Sequence, residues 1–158
     1  MAEYGANALQ TVQPGETVIF TSSPVPCPLG LVNHRDETGA FLLAGRAFNN
    51  GCGCRCKFSK SVNYNITFGA NIAVPTGGTP GQISLAITVD GVTVPNSTMI
   101  ETPAAVEEFS NVSRRVTVPI WKGCCQTVAV RNTSDQAILV QNANIAIERP
   151  DVANLFRG

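Results

Sequence analysis

Between Val62 and Val74 every even position carries an apolar side chain: Val62, Tyr64, Ile66, Phe68, Ala70, Ile72 and Val74. The odd positions hold Asn63, Asn65, Thr67, Gly69, Asn71 and Ala73, mostly polar or small. Successive side chains of a strand point to opposite faces, so a period of two predicts a long β-strand with one buried and one polar face. A helix would scatter the same seven apolar residues around its circumference. Pro75 and the following TGGTPG stop the strand. The run exceeds the usual strand length of about five or six residues, which predicts that it spans the full height of a β-sandwich.

The rest of the chain reads as shorter strands separated by turn signals. Gln13-Pro14-Gly15-Glu16 leads into a strand at Thr17–Thr21, and the alternating Pro24, Pro26 and Pro28 confine the next segment to an edge or loop. Phe41–Ala44 forms a short strand. Ile83, Leu85, Ile87 and Val89 alternate with small residues, and Asp90-Gly91 before Val92 predicts a type I′ hairpin. Thr102–Phe109 reads as one helical turn or a loop. Strands resume at Val112–Trp121, Cys124–Arg131 and Ala137–Glu148. The last one switches its apolar parity near Gln141-Asn142, which predicts a β-bulge. About eight to ten strands without βαβ alternation predict an all-β antiparallel two-sheet sandwich. The expected parts are an N-terminal arm over 1–16, one domain over 17–149 and a tail over 150–158.

Composition narrows the function. Eleven basic and eleven acidic residues cancel, so the electrostatic footprint of a nucleic-acid binder is missing. Only 14% of residues are charged while 44% are hydrophobic, which points to a chain that hides surface in an oligomer. The start, MAEYGANALQ, lacks the basic and apolar regions of a signal peptide, and no apolar run approaches a membrane span. Synthesis in the cytoplasm without a membrane anchor is expected. The four Asn-x-Ser/Thr sequons at Asn65, Asn96, Asn111 and Asn132 then read as chance products of an Asn- and Thr-rich β protein.

No catalytic constellation stands out, so no enzymatic activity and no cofactor are expected. His34-Arg35-Asp36 echoes a kinase catalytic loop, but the other kinase elements are missing and a charged turn is the expected role. Glu107-Glu108 are adjacent and cannot flank a substrate as glycosidase carboxylates do, so they read as a solvated acidic turn near Arg114 or Arg115. The unusual feature is the six cysteines: Cys27, Cys52, Cys54, Cys56, Cys124 and Cys125. Cys52, Cys54 and Cys56 fall on one face of an extended chain, without the spacing of paired zinc ligands. A metal site there is the weaker reading. Disulfides from that trio to Cys27, Cys124 or Cys125, within or between copies, and unpaired thiols both remain open.

NITFGANIAVP, TMIETPAAVEEFSNVS and GCCQTVAVRNTSDQAILVQNANIAIER resemble short jelly-roll proteins of gut Firmicutes and their tailed phages. The group is similar to the tumour-necrosis-factor/C1q type, whose domains also cap collagen-like spore-surface glycoproteins. The resemblance covers about residues 8–149 and is most specific in the ANIA-x-P segment and the cysteine pair after the Trp-Lys-Gly turn. It implies a TNF/C1q-like jelly roll that assembles as a homotrimer. Tyr64, Ile66, Phe68, Ile72 and Trp121 would then pack either the trimer or the domain's own core. The implied role is a non-enzymatic protein on a phage virion, a capsid decoration or head fibre contacting the major capsid protein. Residues 1–16 or the loops at one end would dock. The alternatives are a cysteine-linked spore-surface or appendage subunit among other surface-layer subunits, or a carbohydrate- or receptor-binding module.

Overall fold

A computed structural model describes residues 1–27, 30–35, 38–45, 61–122 and 125–150. Its centre is β6 (Ser61–Ala73), thirteen residues long, in which Tyr64, Ile66, Phe68 and Ile72 are all fully buried. On one side β6 pairs along its whole length with β10 (Ser110–Trp121), from Ser110↔Ile72 to Trp121↔Ser61. On the other it pairs with β12 (Ile138–Glu148), followed by β1 (Ala2–Ala6) and β3 (Ser22–Val25). A short β2 (Gln10–Val12) continues beyond β1 along β12. These strands form the first sheet.

The second sheet has the order β4 (Val32–His34), β5 (Phe41–Ala44), β11 (Cys125–Asn132), β7 (Ile83–Val89), β8 (Val92–Thr93). Strand β9 (Met99–Glu101) also pairs with β7. All pairings are antiparallel, and the two sheets close as a jelly-roll sandwich. The β7–β8 turn has Asp90 at φ 49° and Gly91 at φ 83°, the doubly left-handed backbone that the Asp-Gly pair predicts. The bulge in β12 falls at its predicted place: the register to β6 shifts between Gln141 and Asn144, with Asn142 at φ 52°.

Apolar side chains of both sheets fill the space between them. Phe20 bridges the layers, edge-on to Phe41 at 5.3 Å and to Phe68 at 6.4 Å between ring centroids. The Tyr64 hydroxyl donates to the Ala44 carbonyl at 2.6 Å, tying β6 to the end of β5.

Several expectations need correction. Residues 2–6, expected within a polar arm, form β1 between β12 and β3, with Ala2, Tyr4 and Ala6 buried. Thr17–Thr21 makes no continuous strand: Thr17 forms an isolated bridge to Arg131, and the Val18 amide donates to the Val130 carbonyl. Thr102–Phe109 needs no such correction: of the helical turn or loop expected there it forms the loop, with the Glu108 carboxylate accepting from the amides of Ala104 and Ala105 at 3.1 Å. That carboxylate caps its own loop, while Arg114 donates through Nε to the Asn96 carbonyl. His34 is an inward-facing member of β4, stacked on Phe41 at 4.7 Å and donating through Nε2 to the Thr38 carbonyl. Twelve strands occur among the described residues, more than expected, because short edge strands leave little periodicity to read.

Truncating Phe68 to Ala removes a ring from the centre of this core and is expected to cost about 3–5 kcal/mol in denaturant unfolding. Tyr64→Phe, which removes only the hydroxyl, is expected to cost about 1 kcal/mol. A Phe68→Ala loss below about 1 kcal/mol in the same assay contradicts the assigned facing of β6.

Candidate functional site

Because β6 alternates, burying its even side chains turns Asn63, Asn65, Thr67, Gly69 and Asn71 onto the opposite face of the first sheet. The register of the neighbouring strands extends that face in rows. Ser113, Gly69, Asn144 and Gly5 make one row, from β10 across β6 and β12 to β1. The adjacent row is Arg115, Thr67, Ala146 and Glu3, and the next begins Thr117, Asn65, Glu148. Side-chain hydrogen bonds stitch β10 to β6 on this face: Thr117 Oγ1 donates to Asn65 Oδ1 at 2.8 Å, and Asn111 Nδ2 to Asn71 Oδ1 at 3.1 Å. A Cβ built on Gly69 would lie 3.2 Å from Asn144 Oδ1, so the amide lies close against the glycine and keeps the row low.

The face is therefore polar and sparsely charged. Among the described strand residues, its charges are Arg115 on β10, Glu148 on β12 and Glu3 on β1. The centre has none, whereas a solvated surface usually carries charge at about a quarter to a third of its positions. Burying an unpaired charge is costly, so the absence of central charge lowers the cost of covering this face, while its amides and hydroxyls require hydrogen-bond partners in whatever covers it. An open groove of about 560 Å³ runs beside it, lined by Glu3, Ser22, Ser23, Pro24, Asn142 and Asn144 among others.

The packing residues named from the sequence separate here. Tyr64, Ile66, Phe68 and Ile72 lie inside the chain's own core and cannot meet a neighbouring copy. Trp121 lies on the outer face at the far end of β10 and is 58% exposed. It shares the parity of Pro119, which is tolerated because β10 is an edge strand of its sheet. Cys27 is partly buried against the core, and Cys125 is exposed at the first position of β11. Cys52, Cys54, Cys56 and Cys124 lie outside the described residues, so the trio proposed as a weak metal site is not described either. Burial, followed by the nearby Cys27, pushes the Tyr4 phenol above its ordinary pKa. Among the described residues, no three His, Cys, Asp or Glu side chains converge on one metal position. No described helix is long and apolar enough to cross a membrane.

No protein-family model matches this sequence, and no curated protein matches it. Solved structures do match. The globular domain of zebrafish complement 1qA protein superimposes with a TM-score of 0.57 at 13% identity, covering 92% of this chain and 94% of that one. Eiger TNF from S. frugiperda superimposes with a TM-score of 0.62 at 10% identity, covering 94% and 90%. The vertex protein P5 of PRD1 gives a TM-score of 0.45 at 11% identity over 94% of each chain, a looser match that adds nothing to the assignment. The fold is a TNF/C1q-like jelly roll.

Since Trp121 stands outside the core, Trp121→Ser is expected to leave the unfolding free energy of the isolated chain within about 0.5 kcal/mol of wild type. A loss as large as that of Phe68→Ala, measured in the same denaturant titration, contradicts this placement.

Proposed function

We propose that this chain is a non-enzymatic structural protein that assembles as a homotrimer and sits on the surface of a tailed-phage capsid, as a decoration or head-fibre protein. The observation that carries self-assembly is the centrally uncharged outer face of the first sheet, which offers amide and hydroxyl groups to a covering surface. Trp121 at its end adds exposed apolar area, and such area is enriched at interface centres. The jelly-roll fold accommodates this assembly, and the sequence resemblance to phage-encoded proteins supports the placement on a virion.

The first residues are committed to β1, so docking onto the major capsid protein falls to the loops at one end of the sandwich. The six cysteines enter this reading as cross-links between neighbouring segments or copies, with the exposed Cys125 the most accessible of those described. Extensive linkage would favour the appendage or spore-surface reading, because a capsid trimer held by a sheet face does not need it.

Sedimentation of the purified protein is expected to give three times the 16.7 kDa chain mass, with and without reductant. A mass of 16.7 kDa at all concentrations contradicts trimerisation, and a trimer lost on adding reductant favours the cross-linked reading. Virions purified from lysates are expected to contain the protein in a form reached by antibodies. Its absence from virions overturns the capsid placement.

A further inference from the structure

The three charges on the outer face are arranged with a polarity. Arg115 and Glu3 occupy opposite ends of the same row, Arg115–Thr67–Ala146–Glu3. Three strand spacings separate them, about 14 Å, too far for the pair to meet within one copy. Glu148 lies on β12 two residues beyond Ala146, so the acidic side of the face holds two carboxylates and the β10 side holds the guanidinium. Arg114, the preceding residue of β10, falls on the opposite parity and donates through Nε to the Asn96 carbonyl, so Arg115 is the cation that β10 presents on this face.

We infer that Arg115 of one copy seats in the groove beside Glu3 of the next, closing the assembly head to tail. This rests on the trimer reading above and names the contact that orients it. A guanidinium presents five N–H donors and no acceptor, so it needs a site lined by acceptors. The groove of about 560 Å³ supplies the Glu3 carboxylate, the Ser22 and Ser23 hydroxyls and the side-chain amides of Asn142 and Asn144. Ser22 Oγ already donates its one proton to the Gly5 carbonyl at 3.0 Å, so toward a further group this hydroxyl can act only as an acceptor.

The bulge in β12 contributes by geometry. Asn142 is held in the left-handed region at φ 52°, and the extra residue shifts the register just where β12 lines the groove. Bulges of this kind re-aim side chains locally. Asn144 sits in the row beside Arg115's own, between Gly5 and Gly69, where no neighbouring side chain blocks an approaching arginine.

Charge also selects the symmetry. A twofold pairing of two β10 edges would bring the Arg115 side chains of the two copies toward one another, away from any carboxylate of this face, and like charges opposite one another are destabilising. Pairing the basic edge of one copy with the acidic side of the next is instead a heterologous contact, which closes into a ring when the rotation permits. A threefold axis running along the strands keeps each row at one height, so Arg115 and Glu3 of neighbouring copies arrive level.

The test is a charge swap followed by sedimentation in low salt. Arg115→Glu and Glu3→Arg are each expected to raise the dissociation constant of the assembly about tenfold or more. The double variant, which restores opposite charges in exchanged positions, is expected to recover most of that loss. Raising salt is expected to weaken wild type, whose opposite charges it screens, and to strengthen the singles, whose like charges it screens. Circular dichroism checks that the variants fold; should a reversal fail that check, Arg115→Ala, Glu3→Gln and their combination replace it, with a combined effect smaller than the sum expected. Wild-type-like assembly of Arg115→Glu, or a double variant no better than the singles, overturns the pairing while leaving the trimer intact. A wild-type chain that stays monomeric overturns the trimer reading itself.

Discussion

Burial of the even-numbered side chains of β6 between the two sheets is the interaction on which the other features depend. Tyr64, Ile66, Phe68 and Ile72 carry no solvent exposure, and each contributes on the order of 1.5–3 kcal/mol of transfer free energy. With the even face committed, the pleat leaves no choice for the odd one: Asn63, Asn65, Thr67, Gly69 and Asn71 must face outward. A slip of one residue would exchange the two sets, placing asparagines in the core without partners. The core thus specifies the outer face, and through it the surface offered to the proposed assembly.

The edges of the sheet are where that surface acquires direction. On β10 the exposed edge carries Arg114, Arg115 and Pro119, residues that discourage indiscriminate strand pairing. On the far side β1 is paired on both flanks, so Glu3 is presented from a fixed strand. Gly5 opposite Asn144 and Gly69 opposite the same residue keep one row shallow beside the groove. Low relief, few charges and opposite signs at the two margins suit a repeating contact between identical subunits better than a site for a small substrate.

Features encoded by local pattern were legible in the sequence. The period of two in β6, the Asp90-Gly91 turn and the parity switch at Gln141-Asn142 all have the form expected of them. Features that depend on distant pairing were not. Ala2, Tyr4 and Ala6 do alternate, but Ala-Glu-Tyr-Gly-Ala has too little apolar volume to announce a strand; its partner β12 lies more than a hundred residues away. The large indole of Trp121 invited a packing role, although the apolar residues of β10 are the even ones, Val112, Val116, Val118 and Ile120, and Trp121 falls on the polar parity. Arg115 read from the sequence only as a candidate neighbour of the Glu107-Glu108 turn and Glu3 not at all, because their shared row exists only once the registers of three strand pairs are known.

The central claim is that the outer face of the first sheet is covered by other copies while that of the second stays in water. Hydroxyl-radical footprinting over a dilution series measures this on the native chain. Passing from dilute to concentrated protein, Trp121 and Thr67 are expected to become protected, while the exposed Val92 and Ile100 of the second sheet react at an unchanged rate. Equal reactivity of Trp121 and Thr67 at every concentration, or protection confined to Val92 and Ile100, contradicts the account.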